Sequence, residues 1–150
     1  MKTISYNRKI KFEYFIKSTT EAGIVLTGSE VKSVRKSMIN ISDAYAVIEN
    51  NEVWLYNFYI AEYKESSELN HSSMRIKKLL LKKLEIKKLL GKLKIKGYSL
   101  AVVSVYFNSK NLIKLTLALV IGKKQYDKRA SIKEREWKRK KNKEIKLKAI

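Results

Sequence analysis

Along the first sixty residues, short apolar runs alternate with polar ones in a pattern typical of β-strands. Residues 13–17 and 23–27 are rich in β-branched and aromatic side chains, and the polar stretch between them predicts two separate strands. Residues 44–48 and 53–59 predict two further strands. The turn between them falls at Asn50-Asn51, because asparagine tolerates positive φ. This part of the chain is therefore expected to be mainly β.

Two segments have helical periodicity instead. Residues 28–36 carry two valines three positions apart, and Ser29 is placed to cap the first turn. From Arg75 onward, leucines and isoleucines share one broad arc of a helix, and lysines fill most of the rest. Gly91 and Gly97 weaken or end this helix. The arc consists of Ile76, Leu79, Leu80, Leu84, Ile86, Leu90 and Leu93, whereas Leu81 and Leu89 lie outside it.

A long hairpin is predicted at residues 100–107 and 112–121. Its second strand alternates aliphatic residues with Lys114, Thr116 and Ala118, as a strand does when one face covers a core. About six short antiparallel strands with flanking short helices favour a small closed barrel of the OB-fold type, because closure leaves no long exposed edge. An α+β sandwich is the alternative.

After Gly122 the apolar residues become sparse and share no single helical face. Ser131 and Glu134 form a capping-box pattern, so a helix can start there. A helix this charged cannot bury a face on its own domain. We therefore expect a barrel domain at residues 1–121 and a basic tail at residues 122–150 that is disordered alone and becomes helical on an anionic partner.

The formal net charge of +20 is distributed unevenly along the chain. Residues 1–74 contain nine Lys or Arg and nine Asp or Glu. Residues 75–97 contain ten basic residues and one acidic residue, and residues 122–150 contain thirteen basic and four acidic residues. A lysine-favouring codon bias would not leave residues 1–74 neutral. Such concentrated positive charge indicates a polyphosphate partner, which it binds by displacing counterions.

The residues needed for most enzyme classes are missing from the sequence. It contains no cysteine, and its one histidine, His71, lies in a polar stretch where it is expected to face solvent or touch RNA. A zinc site, a nucleophilic triad, a P-loop and a dinucleotide fingerprint are therefore not predicted, and neither a cofactor nor catalysis is expected. Residues 1–8 have no apolar signal core, and no stretch is apolar enough to span a membrane. We therefore expect a cytoplasmic protein.

Several segments together resemble one family. Glu13-Tyr14-Phe15-Ile16, Glu21-Ala22-Gly23-Ile24-Val25-Leu26-Thr27-Gly28 and Glu30-Val31-Lys32-Ser33 are followed in order by Asp43-Ala44-Tyr45, Glu52-Val53-Trp54-Leu55-Tyr56 and Arg75-Ile76-Lys77-Lys78-Leu79-Leu80-Leu81. The most specific segments are Gly122-Lys123-Lys124-Gln125-Tyr126-Asp127-Lys128-Arg129 and Ile132-Lys133-Glu134-Arg135. In order and spacing, residues 7–137 resemble the small protein B (SmpB) family.

The resemblance implies a protein of trans-translation. It implies an OB-fold barrel that binds the tRNA-like domain of transfer-messenger RNA and enters stalled ribosomes in place of an anticodon arm. The basic tail would occupy the empty messenger channel near the small-subunit decoding region. Elongation factor Tu within the delivery complex is a further partner that the resemblance implies. We also expect a monomer and no membrane partner.

The resemblance also assigns site residues. Contact with the tRNA-like domain is expected from Glu21, Gly23, Asn70, Arg75, Lys78, Leu80 and Lys82. Contact of the tail with the ribosome is expected from Gly122, Lys123, Lys124, Tyr126, Asp127, Lys128, Arg129, Lys133, Arg135 and Trp137. Alternatives remain for three of them: Leu80 could be a core residue, Gly23 could satisfy a tight turn, and Asp127 could pair with a neighbouring cation. Tyr126 and Trp137 could stack on bases, each worth about 1–3 kcal/mol.

Departures from the family pattern and rival functions complete the interpretation. Ser72-Ser73-Met74 occupies a loop in which the family usually has proline, Lys82 stands where His or Asn is common, and Phe12 stands where His is common. A ribosomal protein with a basic extension would have a similar charge distribution. A protein of the membrane surface is a third hypothesis, because residues 76–93 form a basic amphipathic stretch.

Overall fold

The computed structural model describes residues 2–63, 70–124 and 133–140. The strands are β1 (Lys2–Tyr6), β2 (Tyr14–Ile24), β3 (Ile39–Asn40), β4 (Tyr45–Glu49), β5 (Glu52–Tyr56), β6 (Tyr59–Ile60), β7 (Lys77–Leu80), β8 (Tyr98–Phe107) and β9 (Ile113–Gly122). The helices are α1 (Ile10–Glu13), α2 (Gly28–Arg35) and α3 (Lys83–Leu93), and residues 133–140 are also helical. The prediction of a mainly antiparallel β protein with short helices is confirmed.

Seven strands form one sheet in the order β1-β8-β4-β5-β7-β2-β9, and β8 also pairs with β9. Pairing therefore runs from β8 through β4, β5, β7, β2 and β9 back to β8. All of these pairings are antiparallel. The short strands β3 and β6 form a separate pair. The main core packs against these strands and includes Val53, Leu55, Leu79, Leu115 and Leu117, all at most 2% exposed.

The two strands expected at residues 13–17 and 23–27 are one strand, β2. The polar residues between them pair with β9, and the register shifts between Ile16 and Ser18. Only alternate residues of a strand face the core. The other side of this part of β2 faces solvent, which explains its polar side chains. Residues 25–27 lie outside β2.

The predicted hairpins are confirmed with small changes in their bounds. Asn50 and Asn51 join β4 to β5 with φ of 51° and 62°, as the turn requires. Strands β8 and β9 pair along nearly their whole length. The outer face of β9 is not simply polar, however, because Ala118 and Val120 are buried there with Ile10 of α1.

The long helix predicted from Arg75 is only partly correct. Residues 77–80 form strand β7 between β5 and β2, and the helix begins at Lys83. Glu85 accepts a hydrogen bond from the backbone amide of Lys82 at 3.3 Å, which satisfies one exposed donor at the start of α3. The helix continues through Gly91. Its apolar face differs from the expected arc, since Leu89 is buried and Leu84 is 72% exposed.

Helix α2 lies where it was predicted, but its cap is Thr27. The Thr27 hydroxyl accepts from the amide of Glu30, and the Glu30 carboxylate accepts from the amide of Thr27 at 2.9 Å. This reciprocal pair is a capping box. Ser29 is therefore free for another bond.

Candidate nucleic-acid interface

The outer face of β2 and β7 brings together four residues predicted to contact RNA: Glu21, Gly23, Lys78 and Leu80. Gly23 pairs with Leu80 on one side and with Lys114 of β9 on the other. A Cβ atom on Gly23 would lie 3.3 Å from Leu80 Cβ and 3.4 Å from Lys114 Nζ. The missing side chain therefore leaves room for both neighbours above the strand. Gly23 lies inside a strand and not in a tight turn.

Leu80 is a surface residue, 54% exposed, and the alternative that placed it in the core is wrong. Its neighbour Leu79 supplies the core contact instead, at 2% exposure. Alternation along β7 explains this division, since successive side chains point to opposite faces. An exposed leucine beside a glycine gives the outer face a shallow apolar surface.

Glu21 extends this outer face toward β8. Its carboxylate accepts a hydrogen bond from the hydroxyl of Tyr106. Burial raises the pKa of Tyr106 to about 12, and the hydrogen bond to Glu21 and the charge of that carboxylate act in the same direction. Tyr106 therefore fixes the Glu21 carboxylate on the sheet.

Arg75 lies just before β7 and is held by α2. Its Nη2 lies 2.6 Å from Glu30 Oε1, and its Nε lies 3.1 Å from the same oxygen. Nη2 also donates to the carbonyl of Val25 at 3.1 Å. The side chain of Arg75 is nevertheless 35% exposed. The guanidinium therefore has a fixed position and still faces solvent.

Lys77 was predicted to lie on the polar side of a helix with the other lysines of its segment, but its side chain is completely buried. Its ammonium donates to the carbonyls of Phe58 at 2.8 Å and Arg75 at 2.7 Å, and lies 3.8 Å from Glu30 Oε2. Burial lowers the pKa of Lys77 to about 8, although the Glu30 charge opposes this shift. The ammonium ties the residues before β7 to those after β5.

Glu30 is the anion shared by these two cations. Burial alone would raise its pKa, but the hydrogen bonds from Arg75 and the Thr27 amide, with the charges of Arg75 and Lys77, lower it below its ordinary value. Through Arg75 and Lys77, Glu30 anchors β7 to α2.

Asn70 closes the segment between Tyr63 and His71. Its Oδ1 accepts from the amides of Tyr63 and His71, at 3.2 and 3.0 Å, and its Nδ2 donates to the Tyr63 carbonyl at 3.0 Å. Three bonds to the backbone give Asn70 a structural role, whether or not it also contacts RNA. Among residues 2–63, 70–124 and 133–140, the other hydrogen on Nδ2 has no acceptor.

His71 is buried, contrary to the expectation of a solvent-facing loop residue. Its Nε2 lies 3.0 Å from the carbonyl of Ile60 and its Nδ1 lies 2.9 Å from Ser29 Oγ. A carbonyl only accepts, so Nε2 donates. In the neutral ring, Nδ1 then accepts from the Ser29 hydroxyl. This ring joins α2 to the segment that leads into β7.

Lys78 and Lys82 are both on the surface. Lys78 lies opposite Trp54 in the pairing of β5 with β7, and its ammonium is 3.4 Å from the exposed carboxylate of Glu52. Lys82 precedes α3 and is exposed. The site residues on β2 and β7 thus form a continuous surface, with Arg75 and Lys82 at the two ends of β7.

Sequence analysis missed several residues of this region. A groove beside Gly23 and Leu80 is also lined by Arg35, Asn111 and Lys114. The signal for Lys114 was present, because it is a polar position in the alternation of β9. The rings of Tyr45 and Tyr56 stack with centroids 5.5 Å apart. Stacked, partly exposed rings on a sheet are suited to contact with unpaired bases.

The tail leaves the sheet at Gly122, opposite Tyr14. Lys123 Nζ lies 5.4 Å from the ring centroid of Phe15, a cation–π distance. Lys133, Arg135 and Trp137 lie on the helical segment 133–140 and are exposed. Lys124 is described and exposed, whereas Tyr126, Asp127, Lys128 and Arg129 lie outside the described residues.

Within residues 2–63, 70–124 and 133–140, no group of three or more His, Cys, Asp or Glu could hold a metal ion. In the same residues, no helix is long and apolar enough to cross a membrane.

Fold and surface together define a small, mainly antiparallel β protein with a cationic and partly aromatic outer face, a combination common among RNA-binding domains. The sequence profile of the SmpB protein family matches residues 4–147. The chain belongs to the SmpB family.

Individual relatives agree with this assignment. The SsrA-binding protein of Orientia tsutsugamushi (strain Boryong) is 54% identical over 138 residues, which cover 92% of this chain and 90% of the relative. The SsrA-binding protein of Wolbachia sp. subsp. Drosophila simulans (strain wRi) is 55% identical over 142 residues, 95% of each chain. A chain of the solved structure described as "tmRNA-SmpB: a journey to the center of the bacterial ribosome" is similar with a TM-score of 0.67 and 41% identity, covering 79% of this chain and 83% of that one.

Proposed function

We propose that this protein binds the tRNA-like domain of transfer-messenger RNA and delivers that RNA to stalled ribosomes in trans-translation. The observation that carries the proposal is the similarity to SsrA-binding proteins along 92–95% of the chain, at 54–55% identity. Similarity of this extent includes the RNA-binding surface as well as the core. The structural neighbour, described with tmRNA and the bacterial ribosome, supports the same partners.

The proposed contact with the tRNA-like domain is the outer face of β2 and β7. Structured RNA is recognised by shape, phosphates and 2′-hydroxyls. Lys78, Lys82 and the solvent-facing part of Arg75 would bind phosphates. Leu80 above Gly23 would pack against exposed sugar or base surface, and the fixed Glu21 carboxylate would accept from a hydroxyl or amino group. Asn70 would donate its second Nδ2 hydrogen to the same RNA.

The circuit of strand pairing supports a closed barrel of the OB type as the body of the protein. Closure would fix the spacing of β2 and β7, because each strand would be paired along both edges. Residues 1–121 would form this body and residues 122–150 the ribosome-directed tail. The tail would occupy the empty messenger channel near the decoding centre, with its lysines and arginines on ribosomal RNA and Tyr126 and Trp137 on bases.

The tail proposal has its own measurement. Amide hydrogen exchange across residues 131–147 is expected to be fast in the free protein and slow on the ribosome. Slow exchange in the free protein would contradict the proposed ordering on the partner.

The same proposal makes the protein a cytoplasmic RNA-binding factor without catalytic activity. It would act as a monomer beside elongation factor Tu in the delivery complex. Two features support the lack of catalytic activity. The sequence has no cysteine, and both ring nitrogens of His71 are hydrogen-bonded, to Ser29 and to the Ile60 carbonyl.

The experiment is competitive binding of labelled tRNA-like domain against bulk tRNA at about 0.15 M salt, the ionic strength at which exposed charges are physiologically screened. We expect at least hundredfold discrimination, or about 2.7 kcal/mol. Equal affinity for both RNAs would refute specific recognition. Co-purification with assembled ribosomal subunits at high salt, without discrimination between the RNAs, would favour a ribosomal protein.

A further inference from the structure

The Glu21 carboxylate on the outer face of β2 is held by a residue two strands away. Strand β9 pairs with both β8 and β2. Tyr106 of β8 lies opposite Lys114 of β9, which lies opposite Gly23 of β2. The Tyr106 side chain therefore crosses β9 to donate to Oε2 of Glu21, over two strand spacings of about 5 Å each. The two residues are 85 positions apart in sequence, so no local pattern connects them.

The donor and the acceptor of this bond differ in exposure. Tyr106 is 6% exposed, whereas Glu21 is an exposed residue. A glutamate on an open surface samples several rotamers, and a binding partner has to select one of them at a cost in entropy. The bond from a buried tyrosine restricts that freedom before a partner arrives. Because the pKa of Tyr106 is raised to about 12, its hydroxyl keeps its proton and continues to donate at pH 7.

The Glu21 carboxylate also stays apart from the nearby lysine. A Cβ atom on Gly23 would lie 3.4 Å from Lys114 Nζ, so this ammonium stands over β2 only two positions from Glu21. Among residues 2–63, 70–124 and 133–140, Glu21 nevertheless forms no ion pair, and its Oε1 accepts from no donor. A neutral phenol holds the carboxylate, which therefore keeps its charge and one oxygen for another partner.

A carboxylate and a lysine recognise different groups of an RNA. Lysines bind phosphates, which every RNA carries, and so position the protein without reading sequence. A carboxylate repels phosphates and accepts only from hydrogen-bond donors, which in RNA are the ribose 2′-hydroxyl and the amino groups of the bases. Oε1 of Glu21 is therefore suited to discrimination between RNAs, whereas the lysines around it supply attraction.

We propose that Tyr106 is a positioning residue for RNA recognition: its hydroxyl sets the Glu21 carboxylate so that Oε1 accepts from one hydrogen-bond donor of the RNA. This inference rests on the proposed function, in which the tRNA-like domain occupies the outer face of β2 and β7. Tyr106 is buried and acts on the RNA only through Glu21. It contributes to the choice between RNAs and not to their general attraction by charge.

The first test compares the affinities of full-length variants for the tRNA-like domain and for bulk tRNA. The variants are Tyr106→Phe, Glu21→Ala and the double variant that carries both changes. Ser33→Ala is the matched control, because it also removes a donor hydroxyl from a buried residue: Ser33 Oγ donates to the Ala61 carbonyl at 2.7 Å. Fluorescence anisotropy at about 0.15 M salt measures both affinities, and urea unfolding verifies that each variant is folded.

Tyr106→Phe should lose about tenfold in affinity for the tRNA-like domain, as expected for one weakened hydrogen bond to a charged group. Its affinity for bulk tRNA and the salt dependence of binding should not change, because no cation is removed. Glu21→Ala should lose at least as much affinity for the tRNA-like domain. The double variant should lose no more than Glu21→Ala alone. Ser33→Ala should be less stable to urea but should discriminate between the RNAs as the wild type does.

The second test identifies the donor on the RNA. Pools of the tRNA-like domain that carry scattered 2′-deoxynucleotides, or base analogues without the exocyclic amino group, are bound to each protein, and the positions excluded from the bound fraction are mapped. In the wild type, we expect exclusion of deoxynucleotides if the donor is a ribose hydroxyl, and of the base analogues if it is an amino group. Tyr106→Phe and Glu21→Ala should both lose this exclusion at the same position, and Ser33→Ala should keep it.

Three outcomes would overturn this inference alone, in a wild type that prefers the tRNA-like domain. The first is unchanged discrimination in Tyr106→Phe. The second is additive losses in the double variant, which would make the role of Tyr106 structural. The third is an exclusion pattern that is the same in Tyr106→Phe and the wild type, or absent from both. Equal binding of the two RNAs by the wild type would instead refute the proposed function, and this inference with it.

Discussion

Replacing Glu30 by Gln would remove the negative charge that Arg75 and Lys77 share. Gln has nearly the same shape, so the core around α2 keeps its volume. Gln can still accept from the amide of Thr27, but it cannot balance the buried ammonium of Lys77. The variant therefore tests whether this buried cluster holds β7 in place.

The expected loss of stability follows from the burial of both charged groups. Glu30 and Lys77 have no exposed side-chain surface, and Glu30 Oε2 has no hydrogen-bond donor among the described residues apart from the ammonium 3.8 Å away. Removing one partner of a buried ion pair costs about 3–5 kcal/mol. The pKa of Lys77 near 8 allows this lysine to lose its proton instead, so we expect a loss at the lower end, about 3 kcal/mol at pH 7.

The loss should also depend on pH. Because the folded pKa of Lys77 lies below its unfolded value of 10.5, the unfolded state binds more protons between about pH 8 and pH 10.5, and wild-type stability rises there. In Glu30→Gln the folded pKa of Lys77 falls further, so the rise begins at lower pH. Near pH 9.5, Lys77 is neutral in both the wild type and Glu30→Gln. Their unfolding free energies then differ only through the weakened bonds of residue 30 to Arg75 and Thr27. The difference in unfolding free energy should shrink accordingly.

Urea unfolding followed by tryptophan fluorescence at pH 7 and pH 9.5 measures both effects. With a slope of about 2 kcal/mol/M, 3 kcal/mol corresponds to a midpoint lower by about 1.5 M. Glu52→Gln is the matched control, because Glu52 pairs with Lys78 on the surface at 3.4 Å. That pair should contribute no more than about 1 kcal/mol. If Glu30→Gln matched this control at pH 7, or if its deficit did not change with pH, the assignment of a buried supporting cluster would be wrong.

Two further substitutions test the outer face. Gly23→Val places a branched side chain against Leu80 Cβ and Lys114 Nζ. Affinity for the tRNA-like domain, measured by fluorescence anisotropy, should fall at least tenfold. Unchanged affinity would mean that the outer face of β2 and β7 does not bind this RNA. Tyr106→Phe removes the donor to Glu21 and should cost about 1–2 kcal/mol in urea unfolding at pH 7. The stability deficit of Tyr106→Phe should decrease above pH 10. The folded pKa of Tyr106, about 12, lies above the unfolded value, so wild-type stability falls as the tyrosine of the unfolded chain ionises. A deficit that stayed constant up to pH 11 would contradict the raised pKa.

Pairing between strands adjacent in sequence was predictable from the sequence, whereas pairing between strands far apart in sequence was not. The hairpin turn at Asn50-Asn51 depends on neighbouring residues, and its prediction was confirmed. The alternation of β9 was confirmed for the face with Leu115, Leu117 and Leu119, but not for the other face, where Ala118 and Val120 are buried. Residues 18–22, Ser-Thr-Thr-Glu-Ala, contain no large apolar side chain that would mark a strand. They are extended because β9, about a hundred positions later, pairs with them. Such tertiary contacts override local preference.

Strand β7 was predicted as helix for a different reason. Lysine is almost never fully buried unless it is paired, so Lys77 was counted as solvent-facing and the two-residue period of β7 was hidden. Its partners Glu30 and the Phe58 carbonyl lie 47 and 19 positions away. His71 was misplaced similarly, since its acceptor and donor are on other elements. The site residues themselves came from family resemblance, which carries such distant constraints implicitly.

Strand β2 pairs with β9 from Tyr14 opposite Gly122 to Gly23 opposite Lys114. The tail is attached at one end of this ladder and the cleft beside Leu80 lies at the other, about 30 Å away for nine residues of strand. A pull on the tail from within a ribosome would therefore act along the strands and load all the intervening hydrogen bonds at once. Loading in shear is mechanically stronger than opening a ladder one bond at a time. Under such a pull, β2 and β9 would act as a stiff link that transmits tension between the two ends of the ladder.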